Sequence, residues 1–306
     1  DGGGIRGLSE LFILKAIMQA IQRSTGAEHE PKPCEVFDLI CGSSSRLRMS
    51  VDDSIQAFIE MSEKIFSRAN RWPMDLRGRL KPRYSSEALK SAFTLVLLRV
   101  GLAENELLAE QEGTFSTIAI VATRTTDSSI ALMSSDPSQN IIISDKITIQ
   151  EAAMATSAAP VYFEPVQLEP GGWIFVDGGV GANNPVQYAL STAMSKWPER
   201  SVSCLLSIGS GQSAPAITGL SNGMGMLDYV TFITKVVTET ERTAASFMLH
   251  NRGMIDANNY FRFNVKPGLE NVSFDEYRAT QLVEVATRVY LDSPLQRVEL
   301  EACVKR

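Results

Sequence analysis

Three short apolar runs in this 306-residue chain each end in a glycine turn, and this restricts the fold more than any other feature. Residues 36–41 lead into Gly42-Ser43-Ser44-Ser45. Residues 173–176 lead into Asp177-Gly178-Gly179-Val180-Gly181, and 202–208 into Gly209-Ser210-Gly211. A strand that stops at glycine can reverse sharply, because no Cβ obstructs the backbone. A further run, Thr117-Ile118-Ala119-Ile120-Val121-Ala122, shows no polar alternation, which suits a strand covered on both faces. Between these runs lie apolar residues at helical spacing. They include Leu8, Leu11, Phe12, Ile17, Met18 and Ile21, closed by Gly26, and Val51, Ile55, Phe58, Ile59 and Ile65. Strands alternating with helices predict an α/β fold with a mainly parallel sheet covered on both faces.

Further helices are expected at 85–93, 149–158, 186–197, 227–249, 277–291 and 294–304, a late strand at 260–265, and a basic surface loop over 68–83. No repeat, low-complexity tract or linker divides the chain, so residues 1–306 read as one domain. The last helix runs to Arg306 without a cap signal, and no strand precedes the glycine-rich opening at Asp1. The expectation is a domain truncated at both ends.

Hydrophobic residues make up 44% and charged residues 21%, enough for a sizeable core. A net charge of -6 argues against a nucleic-acid partner, which favours a basic face. The four cysteines, Cys34, Cys41, Cys204 and Cys303, form no metal-ligand or disulfide spacing, so neither a metal nor a disulfide framework is expected. This fits a reducing, cytoplasmic setting. No apolar stretch reaches the roughly 18 residues that would span a bilayer.

The glycine turns carry distinct chemistry. Acyl transfer needs a nucleophile, a base and donors for the developing oxyanion. Ser44, on a turn after a strand, stands where a nucleophile would. The histidines, His29 and His250, follow no strand, so a Ser-His-Asp arrangement is poorly supported. Asp177 closes a strand on its own glycine turn and is the better placed base. A free aspartate near pKa 3.9 is a weak base, so burial would have to raise it. The opening Asp1-Gly2-Gly3-Gly4-Ile5-Arg6-Gly7 can present bare N–H groups to an anion at a helix start, with Arg6 adding positive charge. Its glycines also match Gly-x-Gly-x-x-Gly, so a dinucleotide-binding oxidoreductase is a competing reading. That reading leaves Ser44 and Asp177 without a role.

Taken together, Asp1 to Gly7, Gly42-x-Ser44-x, Ala155-Thr156-Ser157-Ala158-Ala159-Pro160 and Asp177-Gly178-Gly179 resemble the patatin-like phospholipase family in order and spacing. The resemblance spans Asp1 to about Gly211 and is closest to the fungal branch. It implies a three-layer α/β/α sandwich and calcium-independent, cofactor-free hydrolysis of lipid acyl esters through an acyl-serine intermediate. Residue by residue, it makes Ser44 the nucleophile, Asp177 its dyad base, and Gly2, Gly3, Gly4 and Arg6 the oxyanion loop. It further implies a lipid or other acyl-ester substrate, peripheral membrane contact and a place in a multidomain protein. One departure stands out. The family continues its nucleophile turn through a glycine into an apolar helix, whereas here Ser45 joins Arg46. The alternative is therefore a catalytically impaired domain that binds or regulates within a larger protein.

Overall fold

The computed structural model describes residues 1–42, 49–70, 81–109, 116–140, 146–169, 171–211 and 240–306. Among these, strands β1 (Leu39–Cys41), β2 (Thr117–Arg124), β3 (Ile130–Ser134), β4 (Val166–Leu168) and β5 (Trp173–Asp177) form one sheet. Strands β6 (Leu205–Gly209) and β7 (Tyr260–Asn264) pair in parallel as a second. The main helices are α1 (Leu8–Thr25), α2 (Val51–Phe66), α3 (Ser86–Arg99), α4 (Ile149–Thr156), α5 (Val186–Lys196), α6 (Thr280–Asp292) and α7 (Pro294–Val304). The expected helix at 227–249 is helical over 240–250, and its earlier part lies outside the described residues. So does most of the basic loop, at 71–80.

Strand β2 is the centre of the larger sheet and is buried along nearly its whole length, as its unbroken apolar run requires. β1 runs parallel to its first half, with Cys41 opposite Ala119. β3 lies antiparallel along Ala119 to Thr123. β5 lies antiparallel to its second half, with Asp177 opposite Ala122. Ala119 pairs with both β1 and β3, and Ala122 with both β3 and β5. β1 and β5 therefore share the edge of β2 opposite β3 and end facing one another.

The α/β architecture agrees with the sequence reading, but the sheet is mixed instead of mainly parallel. Three of its four strand pairings are antiparallel. Two of the three come from strands that the helix–strand alternation does not contain, β3 and β4; the third, β2 with β5, joins strands far apart in the chain. β2 turns into β3 through residues 125–129, and β4 into β5 through residues 169–172. Parallel neighbours need a crossover of a dozen or more residues, so links this short force hairpins.

Two apolar cores flank the gap between the sheets. One gathers Ile13, Ile17 and Met18 of α1 with Phe261 and Phe263 of β7 and Val283 of α6. The other joins Ile118 and Ile120 of β2 and Met133 of β3 with Ala152 and Ala155 of α4 and Phe175 of β5. The helix caps follow the sequence. Ser50 Oγ accepts from Asp53 N at the start of α2, and Thr148 and Glu151 close a capping box on α4. Gly26 ends α1 at φ +68°, a left-handed position suited to glycine.

Candidate active site

β5 carries Asp177 to the point where the larger sheet ends. Its backbone N–H donates to Ala158 O at 3.0 Å, beyond the end of α4. Thr156 Oγ1 donates to Val121 O at 2.7 Å, fixing the same segment to β2. A Cβ on Gly178 would lie 2.4 Å from Val121 O, so the turn after Asp177 needs glycine to pass β2 this closely. The stretch 155–160, marked in the sequence only by its resemblance, thus braces the aspartate from behind.

Desolvation pushes the Asp177 carboxyl up to about 6, and the Gly179 N–H, 2.6 Å from Oδ1, opposes a larger rise by stabilising the anion. At neutral pH the group is still mostly ionised and a far better proton acceptor than a free aspartate.

β1 ends on the same edge of β2. Gly42 extends the pairing, donating to Ala119 O at 3.0 Å, and at φ +150° the backbone leaves the strand in a conformation open to glycine. Ala119 and Ala122 are three residues apart on β2, roughly 10 Å at strand rise. The ends of β1 and β5 are therefore near neighbours. Ser44 follows Gly42 by two residues and lies outside the described residues. The chain is described again from Met49, two residues before α2.

The glycine loop approaches from the β6 side. Gly2 N donates to Asn183 twice, to Oδ1 at 3.0 Å and to O at 3.2 Å. Ile5 N donates to Phe274 O at 2.8 Å. Among the described residues no acceptor takes the N–H of Gly3 or Gly4. Of the three glycines assigned to an oxyanion loop, Gly3 and Gly4 thus keep a donor in hand, while the donor of Gly2 is already engaged. Gly4 has φ +57°, and a Cβ there would lie 2.1 Å from Phe274 O.

Arg6, which the sequence reading assigns to the oxyanion loop, lies among the buried residues. It is only 2% exposed, its Nε lies 3.5 Å from Gly3 O, and it does not line the cavity described below. Burial lowers its pKa.

These parts meet at one cavity of about 810 Å³. Gly2, Gly3, Gly4, Gly42, Ser157 and Asp177 line it together, and its other walls include Ile17, Phe58, Phe93, Ile120 and Phe163. A few polar groups gathered in an apolar cavity suit a ligand with a long apolar part and one reactive polar group. Neither histidine lines it. Among the described residues no group of three or more His, Cys, Asp or Glu is placed to hold a metal ion, and no helix is long and apolar enough to cross a membrane.

Asn183 is the functional residue that the sequence reading omits. Its Oδ1 sits between the two glycine turns, so that a Cβ on either Gly2 or Gly179 would collide with it, at 2.4 and 2.9 Å. Its Nδ2 donates to Thr240 Oγ1 at 2.8 Å. The signal was its place in Asn183-Asn184-Pro185, six residues after Asp177, where two buried amides follow a catalytic-type turn. Phe274 carried no signal at all.

A family-model match covers the Asp177 side of this arrangement, and neither Ser44 nor the glycine loop. The family model for patatin-like phospholipase matches residues 47–190, which include Asp177 and the bracing stretch 155–160. The chain is 22% identical to calcium-independent phospholipase A2-gamma of Mus musculus, over 92% of the chain and 36% of that protein. It is 27% identical to phospholipase A I of Arabidopsis thaliana, over 86% of the chain and 24% of that protein. The chain thus spans about a quarter to a third of these relatives. Among solved structures, VipD from Legionella pneumophila aligns over 93% of the chain and 66% of its own, at 11% identity and a TM-score of 0.31, too low to bear on the fold.

Proposed function

We propose that this chain, which matches the patatin-like phospholipase model over residues 47–190, is a lipid acyl hydrolase of that family working through a Ser44–Asp177 dyad. The observation that carries this reading is the end-to-end meeting of β1 and β5 on one edge of β2. It brings Gly42, two residues before Ser44, and a carboxylate of raised pKa to the same cavity. Ser44 lies two residues past Gly42, a reach of at most about 7 Å.

In this reading Asp177 accepts the Ser44 proton as Oγ attacks the ester carbonyl. The tetrahedral oxyanion takes the N–H groups of Gly3 and Gly4. The alcohol leaves with the proton, and water then enters by the same route to release the fatty acid from acyl-serine. The apolar walls take the acyl chain. The carboxylate needs no metal to act, so hydrolysis is calcium-independent, as the names of the mammalian relatives state for those proteins.

The sequence departure after Ser44, where Ser45 joins Arg46 with no glycine and no apolar helix between, favours the second reading, an impaired domain that binds lipid without turning it over. Assaying phospholipid vesicles with a calcium chelator separates the two. Fatty-acid release that Ser44→Ala abolishes supports the hydrolase. Saturable vesicle binding without release, unchanged by Ser44→Ala, supports the binding domain.

A further inference from the structure

We infer that Arg262 is a positioning residue for the glycine loop, acting by gripping the carboxylate of Asp1 and so aiming the Gly3 and Gly4 N–H groups. This rests on the hydrolase reading for its catalytic meaning but not for its geometry. Arg262 lies in the middle of β7, with its side chain 11% exposed, against that of Asp1 at 2%. Its Nη1 donates to Asp1 Oδ1 at 3.1 Å and to Ser207 Oγ at 2.9 Å. Its Nη2 donates to Asp1 Oδ2 and to Glu241 Oε1, the latter at 3.2 Å. Both carboxylate oxygens of Asp1 are therefore held by one planar fork. That fixes the rotation of the carboxylate as well as its position. A lysine ammonium would supply the charge without the fork.

The loop needs such an anchor because Gly2, Gly3 and Gly4 have no side chains with which to hold themselves, and glycine backbone is the most free to move. Its far end is held by Phe274 O, and its middle by Asn183 and by Ser210, whose Oγ lies 3.5 Å from Gly2 O. At the near end Asp1 is held through its nitrogen, which donates to Ile208 O at 3.1 Å and to Glu10 Oε2 at 3.3 Å, and through the fork on its carboxylate. Only the fork fixes the carboxylate's rotation, and without it the segment can twist about the remaining bonds and carry the Gly3 and Gly4 N–H groups with it. A purely structural ion pair would hold β7 to the chain start but leave the donors where they are, so the two roles are separable.

The test compares Arg262→Lys and Asp1→Asn with the unmodified chain in three measurements. These are amide hydrogen exchange of peptides covering residues 2–8, the rate of labelling by a fluorophosphonate, and Tm. We expect faster exchange at 2–8 with α6 unchanged, labelling slowed by about tenfold to a hundredfold, as a displacement near 1 Å can cause, and a Tm within a few degrees. The effects on labelling should not add in the double variant, since both substitutions break one contact. If Tm falls but loop exchange and labelling per folded molecule stay the same, Arg262 is only a structural ion pair and the inference is overturned. If the unmodified chain fails to label, it is the hydrolase reading that fails. Loop exchange then still decides whether Arg262 holds the loop.

Discussion

The Asp177 turn and the glycine loop face the same cavity, yet they are held by different means. Asp177 is placed almost wholly by main chain: its register opposite Ala122, its N–H on Ala158 O, and the Gly179 N–H on its carboxylate. The glycine loop has main-chain bonds at Gly2 and Ile5 but leans as well on side chains from distant parts of the chain: Asn183, Ser210 and, through Asp1, Arg262. A group held by strand register tolerates change around it, because many backbone bonds share the constraint. A loop that depends in part on three distant side chains is vulnerable at each of them.

The largest effect should come from Asp177→Asn. Losing the base costs on the order of 10³-fold in kcat, measured as fatty-acid release. The same variant should be more stable. The Asp177 carboxyl is raised to about 6 in the folded chain and ionises near 4 when unfolded, so between those values a rising pH favours the unfolded state. Neutralising it should add up to about 3 kcal/mol at pH 8, from about two pKa units, and the gain should vanish below pH 4. Denaturant titrations at the two pH values check this.

Gly4→Ala comes next. The added Cβ would meet Phe274 O at 2.1 Å in a left-handed backbone, so the loop must move. A loss near a hundredfold in kcat is expected, with little change in KM, checked by steady-state kinetics. Asn183→Ala leaves the Gly2 N–H without its side-chain acceptor. About 1–3 kcal/mol is expected, divided between Tm and kcat. The pH profile of kcat/KM should fall about tenfold per unit below about 6, because Asp177 must be ionised to accept a proton. The smallest effect should come from Thr156→Val. It removes one hydrogen bond to Val121 O, worth about 1 kcal/mol, and should change kcat by less than about threefold, since the backbone still holds Asp177. A collapse of kcat there would break the contrast between the two regions.

The sequence shows the Asp177 side more clearly than the loop side, for the same physical reason. The apolar run at 117–122 and the run into Asp177 are local patterns, and they predict both strands. The helix at Pro294–Val304 is likewise predicted to the residue, from its proline start and apolar spacing. β3 and β4 escape because each is a short hairpin partner, five and three residues long, too brief for a period to stand out. The parallel sheet expected from alternation fails with them. The engagement of the Gly2 N–H depends on Asn183. Arg262 meets Asp1 across 261 positions, and no local pattern encodes such a contact.

The central claim is that Ser44, Asp177 and the glycine loop form one acyl-transfer site, and a fluorophosphonate adduct tests it most directly. The folded chain should carry one adduct, mapped by mass spectrometry to Ser44 and greatly reduced in Asp177→Asn. A folded chain with no adduct, or with its adduct on another serine such as Ser157, would contradict the account.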